Sequence, residues 1–447
     1  MAVWSIIKKS ELEGALRTDA EYYRPEYIET EKLLDKRGAV RLGQLLNDIR
    51  YGIYTEPIYM KEGIDFIRAL NLQEYSIDRE VLKIRPEAIA SDKYRLREGD
   101  VLIVRSGANV GNVGIIQTPF IGATFGSYTI RLRFNKKINP YLAYVFFKTC
   151  FGRFQTFRFR TGLAQPNINI PNLKLLKIVT DIPQYQQEIV EGKVKRAHEY
   201  IVKSQLLYLQ AERILLDDLD LDHLDFSQPN YYTTSLKNAQ KVSRVDAEHF
   251  QPKYDKLIQH LEKTGETRLL GEIAHYIKRG LQPVYAENGE IIVVNSQHLG
   301  RYLLNIEATE RTDYAFWQDN KRARLQKKDV LLYSTGAYVG RTNSWFEEQK
   351  GIASNHVTII RPKKECNPIY LAVYLNAFSG LRQAERWATG SGQREIYPEA
   401  ITNFWVYLPS VEFQAKIAKF VIESYEIRKK AKALLEEAKQ KVEEMIG

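Results

Sequence analysis

"GDVLIVRSGANVG" (99–111) and "KDVLLYSTGAYVG" (328–340) lie 328 − 99 = 229 residues apart in one chain of 447 residues. Each reads as an apolar strand followed by a glycine turn, because β-branched and aliphatic residues favour strands and glycine supplies the tight reversal. Other echoes keep the same order. "RTDAEYYRPEY" (17–27) returns as "RVDAEHFQPKY" (244–254), an offset of 244 − 17 = 227. "NPYLAY" from Asn139 returns as "NPIYLAVY" from Asn367, and Gly152, the "TG" at 161 and Gln165 return as Gly380, the "TG" at 389 and Gln393. Pro183 and Gln187 are echoed by Pro409 and Gln414. A nearly constant offset over such a span marks a tandem duplication of a unit of about 200 residues.

Each half has a short helical entry, a mixed region rich in strand signals, and a long helix. In the second long helix Ile417, Val421, Ser424, Arg428, Ala431, Leu435, Ala438, Val442 and Met445 recur in steps of four and three, the seam of a coiled coil interrupted once by Arg428. Subtracting 227 gives Val190, Val194, Ala197, Ile201, Ser204, Tyr208, Ala211, Leu215 and Asp218, a matching stripe in the first half. Each stripe needs a partner, and antiparallel pairing of the two helices satisfies both. The expected fold class is therefore α+β: two tandem-repeat mixed α/β domains separated by two long antiparallel coiled-coil helices, pseudo-twofold symmetric. The expected boundaries are 1–183 and 244–410 for the domains, 184–220 and 411–447 for the helices, and 221–243 for a linker. A helix of about 29 residues at ~1.5 Å per residue is roughly 43 Å long. That is of the order of the about 34–36 Å between two modules bound one helical turn apart on DNA.

Composition narrows the function classes. An apolar fraction of 44% with 27% charged residues is ordinary for a globular chain. Lysine and arginine outnumber aspartate and glutamate 65 to 55, a net charge of +10 that suits an anionic partner. No run approaches the roughly 18–20 apolar residues of a membrane span, and "MAVWSIIKKS" is too short in its apolar stretch for a signal peptide. Cys150 and Cys366 have no metal-like spacing and read as reduced thiols, so a cytoplasmic location is expected. The glycine turns lack the lysine and Ser/Thr of a P-loop, which argues against nucleotide binding and against a translocase. The seven histidines show no ligand spacing, so neither metal nor cofactor is expected. "NPIY" from Asn367 lacks the second proline of an adenine methyltransferase motif and reads as a helix start.

With these motifs in order, the chain resembles the specificity (S) subunits of type I restriction-modification systems over nearly its whole length. The carrying pairs are the two opening stretches, "INPYLAYVF" with "NPIYLAVYL", "TGLAQPNINI" with "TGSGQREI", and "IPQYQQEI" with "LPSVEFQAKI". The resemblance implies a non-catalytic subunit with two target-recognition domains, each reading a few base pairs of one half of a bipartite double-stranded DNA target. It implies partners too: methyltransferase (M) subunits, two of them, and restriction (R) subunits in the full complex. A recognition subunit of another multi-subunit modification or defence system, and a coiled-coil scaffold that binds only proteins, are the competing readings.

Reading bases takes arginine, lysine, asparagine or glutamine at base edges, with hydroxyl and basic groups on phosphates. The first repeat offers Arg68, Asn71, Arg105, Ser106, Asn109, Arg158, Arg160, Thr161 and Gln165. The second offers Asn295, Gln297, His298, Ser334, Thr335, Tyr338, Arg341, Asn355, Gln393 and Arg394. Framework positions repeat while candidate contacts differ, Arg105 against Ser334 and Asn109 against Tyr338, as two unlike half-sites require.

Overall fold

The computed structural model describes residues 4–12, 17–54, 58–78, 80–89, 91–107, 109–162, 165–221, 223–227, 229–306 and 309–447. It divides into two units, Met1–Ile201 with Arg428–Gly447, and Val202–Ile427. Leu163 and Ala164 of the "TGLAQPNINI" motif and Ala108 of the first glycine turn lie outside the described residues.

The quoted apolar runs are central strands. Val101–Val104 is buried at all four positions and sits between Thr129–Phe134 and Val113–Ile115, with Leu46–Tyr51 completing an antiparallel four-stranded sheet. A strand covered on both faces has no polar side to alternate with, hence the unbroken "VLIV". The second unit repeats the order with Ala274–Arg279, Val357–Pro362, Val330–Tyr333 and Thr342–Ser344. Even the irregularities recur: the register shifts between Leu46 and Asp48, and between Ala274 and Tyr276. A second sheet in each unit contains one parallel pairing, Ile64–Ile67 with Thr124–Phe125 and Ile291–Val294 with Gly351–Ala353.

The repeated Asn-Pro and glutamine have one explanation. Asn139 caps the helix Pro140–Lys148, its Oδ1 accepting from Tyr141 N at 2.8 Å, and Asn367 caps Pro368–Asn376 through Ile369 N at 2.9 Å. Proline at the first helical position costs no hydrogen bond, because that N–H has no partner within the helix. Gln187 Oε1 accepts from Asn139 N at 3.3 Å while its Nε2 donates to Ile182 O at 2.8 Å. Gln414 does the same for Asn367 N at 2.7 Å and Pro409 O at 3.0 Å. Each glutamine thus ties the start of a long helix to a capped helix of the mixed region.

The long helices are Gln184–Leu219 and Val411–Ile446. In the first unit Val190, Val194, Ala197 and Ile201 share a core with Ala431, Leu435, Ala438, Val442 and Ile446. In the second, Tyr208, Ala211, Leu215 and Leu219 share a core with Ile417, Ala418 and Val421, and Ser204 Oγ lies 3.1 Å from Ser424 Oγ. Opening turns of one helix thus meet closing turns of the other, the antiparallel pairing expected. The last seam position needs correction. Asp218 is exposed and Met445 only half-buried, whereas Leu219 and Ile446 are buried. A seam of period 3.5 drifts on a helix of about 3.6 residues per turn, and a second consecutive step of four restores it. Arg428, the interruption in the stripe, is half-buried, and desolvation pushes its pKa down.

Candidate nucleic-acid interface

One stitching pattern builds the same rim in both units. In the first, Arg105 follows the central strand and its N–H donates to Tyr128 O at 2.9 Å. Gly107 N donates to Pro166 O at 3.1 Å and Ile168 N to Arg105 O at 2.8 Å, while Ser106 and Thr161 each form a bridge with Asn167. In the second unit Gly336 N donates to Arg394 O at 2.9 Å and Ile396 N to Ser334 O at 2.9 Å. Thr335 and Thr389 there bridge to Glu395. The glycine turn and the Thr-Gly loop, more than fifty residues apart in sequence, are therefore neighbours in each unit.

That brings together Arg105, Ser106, Asn109, Arg160, Thr161 and Gln165 in one unit, with Asn109, Thr161 and Gln165 exposed. Arg105 lies over the Tyr51 ring at 4.6 Å and donates through Nη1 to Tyr54 Oη at 3.0 Å, while its buried Nε has no hydrogen-bond partner among the described residues. Arg160 lies over the Phe157 ring at 4.9 Å. Arg68 joins the neighbourhood through the turn it opens, since Asn112 Nδ2 donates to Leu72 O at 3.2 Å, and its buried Nε is likewise without a partner. Tyr54 and Tyr128 are 69% and 60% exposed, which leaves aromatic faces at the edge of this set.

In the second unit Thr335, Tyr338, Arg341, Gln393 and Arg394 meet in the same way. Gln393, Arg394 and Tyr338 are exposed, and Arg341 stacks on the Tyr338 ring at 3.8 Å. Asn355 is half-buried. Asn295 spends its Nδ2 on Glu310 at 2.9 Å and Tyr285 Oη at 3.2 Å, and the exposed Gln297 reaches the same carboxylate at 3.3 Å.

Five of the residues expected from the sequence are internal and need correction, among them Thr335, which is buried with its Oγ1 donating to Glu395 Oε1 at 3.2 Å. Asn71 is fully buried, its Oδ1 accepting from Arg68 N at 2.9 Å and its Nδ2 donating to Glu80 O at 3.3 Å. His298 is its counterpart, buried, with Nδ1 accepting from Asn295 N at 2.9 Å, and burial lowers its pKa. Ser334 is buried, its Oγ donating to Leu332 O at 3.2 Å and lying 2.6 Å from Thr358 Oγ1. Arg158 is a core strut: Nε donates to Tyr22 O at 3.1 Å, Nη1 meets Glu31, and the guanidinium covers the Tyr22 ring at 4.3 Å. A polar group buried and hydrogen-bonded inside the fold is not presented to a base.

Tyr51, Tyr54, Tyr128, Arg279, Glu395 and Tyr397 also lie at these rims without having been expected there. The exposed tyrosines flanking the basic positions were a legible signal. The pairing of Arg279 with Glu395, 116 residues apart, carried none.

A family model for the type I restriction modification DNA specificity domain matches residues 40–192 and again 262–439. The chain belongs to the type I restriction-modification DNA specificity family. Both matched segments contain a glycine turn, a Thr-Gly loop and the opening of a long helix, so the family's repeated domain coincides with the repeated rim. No curated protein sequence matches the chain. Among solved structures it is similar to the type I restriction-modification S subunit from M. genitalium, at 14% identity and a TM-score of 0.42, over 90% of this chain and 95% of that one. It is also similar to the HsdS subunit from Thermoanaerobacter tengcongensis, at 15% identity and a TM-score of 0.28, over 90% and 95%. A third likeness is to a chain from work on complex assembly and conformational transition of the type I R-M system, at 15% identity and a TM-score of 0.30, over 90% and 97%.

Proposed function

We propose that this member of the family is the non-catalytic reading subunit of a type I complex. Each unit reads one half of a bipartite duplex target, and the chain positions two methyltransferase subunits and, in the full complex, restriction subunits on it. The observation that carries this reading is one rim built twice with different side chains, Asn109 and Asn167 in one unit against Tyr338 and Glu395 in the other. The recognition domains span 1–183 and 244–410, the chain works in the cytoplasm, and the chemistry is supplied by the partners without a metal or cofactor on this chain.

Asn367 supports the absence of catalysis, because its side chain caps a helix and is not free to hold a flipped base. Among the described residues no helix is long and apolar enough to cross a membrane, and no cluster of His, Cys, Asp or Glu could hold a metal.

Duplex binding by the full chain is expected to weaken steeply with salt, because phosphate contacts release counterions. A protein-only scaffold would give no shift of duplex DNA at any salt. Arg105→Ala is expected to cost roughly 1–3 kcal/mol against the cognate site, at one base pair of one half. Titration against half-site variants measures this, and an unchanged preference removes Arg105 from the reading set.

A further inference from the structure

The strands Leu46–Tyr51 and Ala274–Arg279 hold the same place in their sheets, so Arg279 stands where the first unit has Tyr51. Glu395 likewise stands where the first unit has Asn167, each bridged to both stitched segments. Arg279 Nη2 donates to Glu395 Oε1 at 2.5 Å and also meets Thr335 Oγ1. Thr335 Oγ1 donates to the same carboxylate oxygen at 3.2 Å, and Tyr397 Oη donates to Oε2 at 2.6 Å. The Arg279 guanidinium lies 5.2 Å from the centre of the Tyr397 ring. The carboxylate and guanidinium side chains remain 29% and 22% exposed.

A carboxylate is an unfavourable neighbour for phosphates unless its charge is cancelled and its acceptor has a use. Here Arg279 cancels the charge. Of about four acceptor sites on an ionised carboxylate, these donors occupy three and leave one on Oε2. The hydrogen bonds from Tyr397 and Arg279 hold the Glu395 pKa below its ordinary value, so the group stays an acceptor at neutral pH.

Resting on the reading of the units as DNA readers, we propose that Glu395, oriented by Arg279, Thr335 and Tyr397, is a specificity-determining residue of the second unit. It accepts a hydrogen bond from the exocyclic N4 amino group of a cytosine in the major groove. At the corresponding place the first unit has Asn167 instead of Glu395 and the Arg105 guanidinium over the Tyr51 ring, residue types suited to guanine. The two halves of the target therefore differ because an acceptor in one rim replaces donors in the other.

The test is selection of bound duplexes from a randomised pool by the full chain, comparing wild type with Glu395→Gln and Tyr397→Phe. Wild type is expected to fix one G·C pair in one half. Glu395→Gln should release that pair, or turn it to A·T because a carboxamide matches adenine N6 and N7, by about tenfold or more. Its neighbours should stay fixed, and Tyr397→Phe should relax the same pair less sharply. An unchanged motif with Glu395→Gln overturns the proposal, as does loss of the whole half, which would mark a structural role. If wild type selects no sequence at all, the reading as a DNA reader falls, and this assignment falls with it.

Discussion

Arg361→Met is expected to destabilise the second unit by about 3–5 kcal/mol, because it strands a buried carboxylate. Asp329, whose side chain is only 2% exposed, accepts from Arg361 Nε at 2.7 Å and Nη2 at 2.9 Å, and from Gln326 N at 2.8 Å. Methionine keeps most of the volume and removes both guanidinium donors, so the cost is electrostatic. The first unit has the same device in Arg133 and Asp100, paired at 2.7 Å, and Arg133→Met should cost a similar amount there. Hydrogen exchange resolved by peptide separates the two: protection should fall in Val202–Ile427 for Arg361→Met and in the other unit for Arg133→Met. Equal protection in mutant and wild type would show that these pairs contribute little.

Gly280→Ala should cost about 4 kcal/mol or more, at the extreme of single-substitution effects. A Cβ at Gly280 would lie 2.2 Å from Ala353 O and 2.4 Å from Ser354 O, and both are backbone atoms that cannot swing aside. At Gly52 the corresponding approaches are 2.3 Å to Gly126 O and 2.4 Å to Phe125 O. Here glycine is demanded by space. If each unit reads one half as proposed, then because Gly280 follows Arg279 the substitution should also erase sequence preference in one half of the target and leave the other half intact. Unaltered melting and an unaltered two-part preference would contradict this geometry.

The duplication was legible because the same fold needs the same special residues twice: the glycines at close approaches, Asn139 and Asn367 as caps, Gln187 and Gln414 as ties. The helix seam was legible through Leu215 and Val442, and failed only where the four-and-three rhythm gives way to a second step of four. The rim was half legible. Arg105, Asn109, Gln165, Gln393 and Arg394 lie along it, whereas Asn71 and His298 are buried, because one polar side chain serves equally to close a turn or to meet a ligand. Only tertiary structure tells those uses apart. Arg279 and Glu395 stayed hidden for the converse reason: their pairing depends on segments 116 residues apart and has no local pattern. Arg158 shows that charge alone misleads, since its guanidinium is consumed by Tyr22 and Glu31 inside the fold.

If one chain carries two dissimilar readers, mapping the methylated positions in the DNA of a host that carries it with a methyltransferase of its system should give two short specified segments of different sequence, separated by a constant unspecified gap. A single uninterrupted motif, or two identical inverted halves, would contradict it.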